Sequence, residues 1–161
     1  MENASINTIQ DERVDQSDIE LLSFRIGDHE YSVNIMSVRE IRGWTRATSL
    51  PHAPRYVHGV INLRGTVLPV VDLAKRLGLD TDEPSERSVI IVIDYEDRTV
   101  GVRVDAVSDI LSVAVNTMQP PPEMLSDGSE KFVQGLIVID DRMVRVLDIE
   151  TVLPPEDEAT A

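Results

Sequence analysis

Apolar and polar residues alternate with a period of two along most of the chain. In LLSFRI, Leu22, Phe24 and Ile26 share one face and Ser23 and Arg25 the other; past Gly27-Asp28, EYSVNI resumes the alternation through Tyr31, Val33 and Ile35. This pattern predicts a hairpin. VINLRGTVLPVVDL predicts another about Arg64-Gly65, and its second half is nearly continuous in Val and Leu, as in a strand buried on both faces. Pro69 in that half cannot donate to a ladder, which places it at an edge or a bulge. SVIIVIDY and TVGVRVDAV predict a hairpin about Glu96-Asp97-Arg98, and FVQGLIVI and RMVRVLDI one about Asp140-Asp141. LAKRLGL reads as a short helix stopped by Gly78, and DIETVL as a second. Pro51 and Pro54 bracket a loop in which a further short helix can start. MSVREIRG fits neither period and is open between a helical turn and a strand.

Many short strands, tight turns and little helix imply an all-β barrel or sandwich. The polar stretch from Asp80 to Arg87 reads as a linker and suggests two units of structure. No close internal sequence repeat is evident. The expected organisation is an acidic tail over 1–18, a folded body over 19–153 and a second acidic tail over 154–161.

Composition narrows the chemistry. The 161 residues are 42% hydrophobic, enough for a real core, and contain no cysteine, which removes disulfides and thiolate chemistry. The formal net charge is −14, which opposes binding to phosphate backbones. Six aromatics are dispersed, at Phe24, Tyr31, Trp44, Tyr56, Tyr95 and Phe132, and offer no base-stacking platform. No apolar run approaches the ~20 residues of a membrane span, and the N-terminus lacks a signal-peptide pattern. A soluble, intracellular protein that binds no nucleic acid and does not insert into the membrane is expected.

No catalytic constellation emerges. The histidines are His29, His52 and His58. They lack metal-ligand spacing and read as surface residues. No serine sits in a GxSxG setting, and neither GxGxxG nor GxxxxGK[ST] occurs. Asp80, Asp82 and Glu83 resemble a calcium loop only superficially, without its glycine and bidentate glutamate. No enzyme, metal or cofactor is expected. The residues alone lead to an all-β interaction module, recognising partners through grooves and sheet edges.

Five stretches add a resemblance: FRIGDHEYSVNI, VREIRG, LPHAPRYVHGVINLRGTVLPVVDL, VGVRVDAVSDIL and GLIVIDDRMVRVLDI. In order and spacing they are similar to CheW-type chemotaxis coupling proteins, over roughly residues 20–153. The resemblance implies two small five-stranded SH3-like β-barrels packed around a shared hydrophobic core, with a few short helices. It also implies a non-catalytic cytoplasmic adaptor that bridges the tips of methyl-accepting chemoreceptors to the regulatory domain of the histidine kinase CheA in membrane-associated arrays. Arg64 matches the family arginine tied to receptor binding, where it either grips the receptor or braces the groove from within. Val38 and Glu40 match the same groove, and Val89 would line its floor. Leu50, Pro51, Tyr56 and Gly59 lie in the segment the family uses near its kinase-facing barrel. The loop from Pro120 to Met124 would supply a further contact.

Overall fold

The computed structural model describes residues 18–79, 83–121 and 130–155. The N-terminal tail and most of the C-terminal tail, like the loop beyond Pro121, lie outside these residues. Among the described residues ten strands form: β1 (Asp18–Ile26), β2 (His29–Asn34), β3 (Val38–Gly43), β4 (Val57–Leu63), β5 (Thr66–Asp72), β6 (Val89–Tyr95), β7 (Arg98–Val104), β8 (Ala106–Ala114), β9 (Val133–Ile139) and β10 (Arg142–Leu147). Two short helices, α1 (Leu73–Leu77) and α2 (Ile149–Val152), follow β5 and β10. The four predicted hairpins are present. A 3-10 turn over Ile35–Ser37 runs into the start of MSVREIRG, and the rest of that stretch is β3. The loop around Pro51 and Pro54 makes turns rather than a helix. Strand β8 follows β7 after a single residue, Asp105, so no turn signal marked its start.

The strands form two five-stranded sheets, ordered β8-β1-β2-β10-β9 and β3-β6-β7-β5-β4. Neither corresponds to one half of the chain. The first combines β1 and β2 with β8, β9 and β10, while β3 to β7 build the second. The polar stretch at residues 83–87 therefore joins α1 to β6 inside the second sheet and does not separate two units.

This interleaving exposes an internal repeat that the residue pattern alone does not show. Val57-His58-Gly59-Val60-Ile61 of β4 is matched by Val133-Gln134-Gly135-Leu136-Ile137 of β9. Asp72 caps α1 by accepting from the Lys75 amide, and Asp148 caps α2 by accepting from the Glu150 amide. Each repeat is a hairpin followed by three strands, and each sheet takes its hairpin from one repeat and its three strands from the other. In both sheets a parallel pair, β2 with β10 and β7 with β5, joins the two contributions. Few identities survive between the copies, so topology reveals what letter matching does not.

Three apolar clusters hold the assembly together. One lies within the first sheet (Leu21, Ile137, Val144, Val146) and one within the second (Ile61, Leu68, Ile90, Val92). The largest packs the sheets against each other, through Phe24, Tyr31 and Val33 on one side and Val71, Ile91 and Val102 on the other. Strands such as β6 are therefore buried on both faces, which is why VIIVI has no polar alternate.

Pro69 is not on an edge, because β5 lies between β4 and β7. The bulge in this hairpin falls on β4, between Val57 and Gly59. Pro69 faces Val60 in the antiparallel pair, while parallel pairing with β7 begins only at Val70. Its missing N–H therefore costs no ladder bond on the β7 side.

Arg76 clasps the two repeats together. From α1 its guanidinium donates to the carbonyls of Thr151, Val152 and Leu153 at the end of α2, at 2.9–3.4 Å. It also stacks between the rings of Tyr56 and Phe132. Charge-assisted bonds of this kind are worth about 1.5–3 kcal/mol. Arg76→Met is expected to lower stability by about that amount, read from the midpoint of urea unfolding.

Candidate functional site

The β4–β5 turn is built to present Arg64. Arg64 and Gly65 both have positive φ, 52° and 87°, the geometry that matches a two-residue hairpin to the twist of its strands. The Asn62 side chain accepts from the Gly65 amide at 2.8 Å and locks the turn. From this tip the Arg64 guanidinium makes a two-pronged ion pair with Glu40 on β3. Edge strands β3 and β4 are not hydrogen-bonded to each other, so the pair spans the open side of the second sheet.

The pair stays wet: 64% of the Arg64 side chain is exposed, against 25% for Glu40. The hydrogen bond from Arg64 holds the Glu40 carboxyl below its ordinary value, opposed in part by desolvation and helped by the Arg64, Arg42 and Arg39 charges. The same bond raises the Arg64 value. Arg42 stands 3.8 Å from the same carboxylate. Ile41 on β3 and Val67 on β5 are exposed apolar side chains of the same sheet.

Of the four predicted receptor residues, the fold brings Glu40 and Arg64 into contact. Val38 begins β3 and faces Ile93, while Val89 begins β6 and faces Gly43 at the other end of β3. Both valines are partly buried against the inter-sheet core, so they flank β3 rather than form one patch with the ion pair.

The four predicted kinase residues do not converge. Leu50 is half-buried and Pro51 exposed, both in the loop between β3 and β4. Tyr56 faces inward: its carbonyl accepts from the Asp72 amide at 2.7 Å, and its ring lies under Arg76. Gly59 is buried at φ 144°, where an added Cβ would stand 2.0 Å from the Thr48 carbonyl oxygen. Thr48 exchanges two 2.8 Å backbone bonds with Val60, so this glycine admits the β3–β4 loop as an extra rung on β4.

His58 is not the surface histidine expected from its loop. Its side chain is 14% exposed, its Nε2 lies 3.1 Å from Oδ2 of Asp72, and its ring meets Trp44 edge-on. Asp72, Arg103 and Ser88 complete a buried polar cluster, with Arg103 reaching Asp72 at 3.5 Å and Ser88 at 3.3 Å. Burial raises the Asp72 value, but His58, the Lys75 amide and Arg103 together hold it below the ordinary carboxylate range. Alternation along one strand does not show this cluster, since its members come from β4, β5 and β7 and from Ser88 just before β6.

The first sheet carries a counterpart of the Arg64–Glu40 pair. Asp109 accepts from the Ser23 hydroxyl at 2.6 Å inside the β1–β8 register shift between Leu22 and Phe24, much as Glu40, opposite Val92, follows the β3–β6 shift after Val38. Arg142, just past the Asp140-Asp141 turn, binds Asp109 at 3.2 Å and also grips Glu30 with two donors. No group of three or more metal-ligating side chains forms among the described residues.

A family model described as a CheW-like domain matches residues 20–156. The chain belongs to the CheW-like family. Chemotaxis protein CheW of Rhizobium meliloti is 53% identical to this CheW-like chain over 142 residues, covering 88% of the chain and 92% of that protein. Chemotaxis protein CheW of Klebsiella aerogenes is 35% identical, covering 97% and 92%. The crystal structure of the scaffolding protein TtCheW from Thermoanaerobacter tengcongensis matches the CheW-like fold with a TM-score of 0.78 at 29% identity, over 86% of this chain and 89% of that one. Two five-stranded, mostly antiparallel sheets with few short helices are thus the architecture this member shares. Among the described residues no helix is long and apolar enough to cross a membrane.

Proposed function

We propose that this CheW-like chain is a non-catalytic cytoplasmic adaptor in chemotaxis. It couples the tips of methyl-accepting chemoreceptors to the regulatory domain of the histidine kinase CheA, and so supports receptor control of the kinase and array assembly. Its relatives are chemotaxis proteins and its structural neighbour is a scaffolding protein. The observation that carries the receptor half of this reading is the Arg64–Glu40 pair, an exposed guanidinium held on a hairpin tip locked by Asn62, on a sheet that also exposes Ile41 and Val67. Glu40 holds Arg64 in place, and the exposed part of the guanidinium keeps donors for carboxylates or carbonyls on a receptor helix. Val38 and Val89 add apolar surface on either side. On the kinase side, Leu50 and Pro51 offer the accessible contacts, with Tyr56 and Gly59 holding their loop against β4. The body at residues 19–153 acts as one unit in this reading.

Arg64→Ala tests it. The variant is expected to bind a receptor signalling-tip fragment at least tenfold more weakly while keeping its affinity for the CheA regulatory domain and its NMR spectrum. Loss of both partners with a disturbed spectrum would make Arg64 an internal brace. Failure of the unaltered protein to bind either partner would overturn the coupling reading.

A further inference from the structure

A strongly basic stretch interrupts this acidic chain at the Arg64 rim. Residues 35–65 hold five arginines, Arg39, Arg42, Arg46, Arg55 and Arg64, against a single acid, Glu40. Three of the five gather on that acid. Arg64 pairs with Glu40, Arg42 stands 3.8 Å from the same carboxylate, and the Arg39 charge also acts on it. Arg39 has one further acid, Asp94, at 3.8 Å. The Arg42 Nε–H is buried without an acceptor among the described residues. The cluster thus offers more guanidinium donors than its two carboxylates take up. Two of its arginines stand on β3, an edge strand with one side unpaired.

The chain carries a complementary segment that starts beside this cluster. Leu21 of β1 pairs with Asn34, the last residue of β2, so Asp18 to Glu20 run on beside the Ile35–Ser37 turn that feeds β3. Residues 1–17 therefore leave the fold near the Arg39 end of β3. They hold Glu2, Asp11, Glu12 and Asp15 against Arg13. From Asp18, the chain back to Asp11 spans up to about 25 Å, while Arg39 to Arg42 covers only about 10 Å of β3. Glu12 and Asp15 have the same sequence spacing as Arg39 and Arg42, so an extended segment can meet both. The C-terminal acids Glu156, Asp157 and Glu158 are placed worse. Arg98 holds the Pro154 carbonyl at a corner where Tyr95 already feels the negative charges of Glu150, Glu96 and Asp148. From Pro154 to Glu158 the chain reaches about 14 Å, less than the roughly 16 Å along β6 from Tyr95 to Ile90, the partner of Arg42.

We propose that the chain's own acidic segment 11–15 docks along β3 on the Arg39, Arg42 and Arg64 guanidiniums. Tethering raises its effective concentration to about the millimolar range, so ion pairs that are weak singly become populated. The docked segment covers the rim assigned above to the receptor. Resting on that assignment, it is a built-in competitor of the receptor tip.

The test places a nitroxide at Gln10→Cys, a unique site because the chain has no other cysteine, and reads paramagnetic broadening by NMR in the dilute full-length chain. The label is expected to broaden the amides of residues 39–43 and of Arg64 and Gly65. The broadening is expected to fade at about 1 M salt, where charges are screened within about 3 Å. It should vanish when Asp11→Asn, Glu12→Gln and Asp15→Asn are combined, and survive Glu156→Gln, Asp157→Asn and Glu158→Gln. Absence of broadening, its persistence without the three N-terminal acids, or its dependence on the C-terminal acids would each overturn the docking. So would broadening in a mixture of unlabelled isotope-enriched chain and labelled unenriched chain, which would assign the segment to a second copy. Competition is read separately. The variant without the three N-terminal acids is expected to bind a receptor signalling-tip fragment about threefold more tightly, as a rim freed from its occupant does. Equal affinity with the broadening intact would overturn the competition. Failure of the unaltered chain to bind the fragment would sink the receptor assignment alone, because the broadening is measured without any receptor.

Discussion

Asp72→Asn is expected to lower the unfolding free energy by about 3–5 kcal/mol, the usual cost of removing one partner from a buried ion pair. The substitution keeps the side chain's size and its ability to cap α1, since asparagine caps as well as aspartate. What it removes is the negative charge that Arg103 and His58 face inside the fold. Arg103 is 3% exposed and cannot turn to water for compensation, although it also reaches Asp105 at 3.2 Å. The effect has a definite pH dependence. The Asp72 value is lowered in the folded state relative to an unfolded value of about 3.9. Its contribution is therefore fully present above about pH 4 and is lost as pH falls through the lower folded value. Urea titrations of both proteins from pH 7 downward are expected to converge only below about pH 4. A gap that closed well above that pH would assign the loss to a group other than Asp72.

Gly59→Ala is the second large effect, about 3–5 kcal/mol, combining overpacking with a backbone region closed to other residues. The added methyl would stand 2.0 Å from the Thr48 oxygen and 2.6 Å from its carbonyl carbon. Relief means pushing the β3–β4 loop off β4 and breaking the Thr48–Val60 bonds. Gly65→Ala is the matched control: its φ is also positive, at 87°, but nothing lies within 4 Å of the added methyl, so it carries only the strain of about 1–2 kcal/mol. Binding of the CheA regulatory domain by Gly59→Ala then separates packing from contact. Affinity that falls with stability fits the packing role; affinity lost at full stability would place Gly59 at an interface.

The candidate site was only partly legible. The Arg64-Gly65 turn could be read because two-residue hairpins demand residues that tolerate positive φ. The resemblance drew attention to Glu40, but its contact with Arg64 needs strands β3 and β4 at opposite edges of one sheet. Outside the site, the burial of Arg145 on β10 gave no signal, because an arginine at an alternate strand position reads as a solvated residue. Only the packing of β10 against β2, with Tyr31 beneath, takes it out of water. His58 reads as a surface residue for the same reason: its partner Asp72 is distant along the chain until β4 and β5 pair.

What the sequence determined by itself was local. Period-two alternation set the strands, glycine and acidic pairs set the turns, and Asp72 with Gly78 set the ends of α1, because each depends on backbone sterics and near-neighbour hydrogen bonds. The tertiary structure decided how the repeats exchange hairpins, which strands become edges, and which charges lose contact with water. Those outcomes depend on pairing between distant strands, and no short-range pattern specifies the partner of a strand that is apolar on both faces.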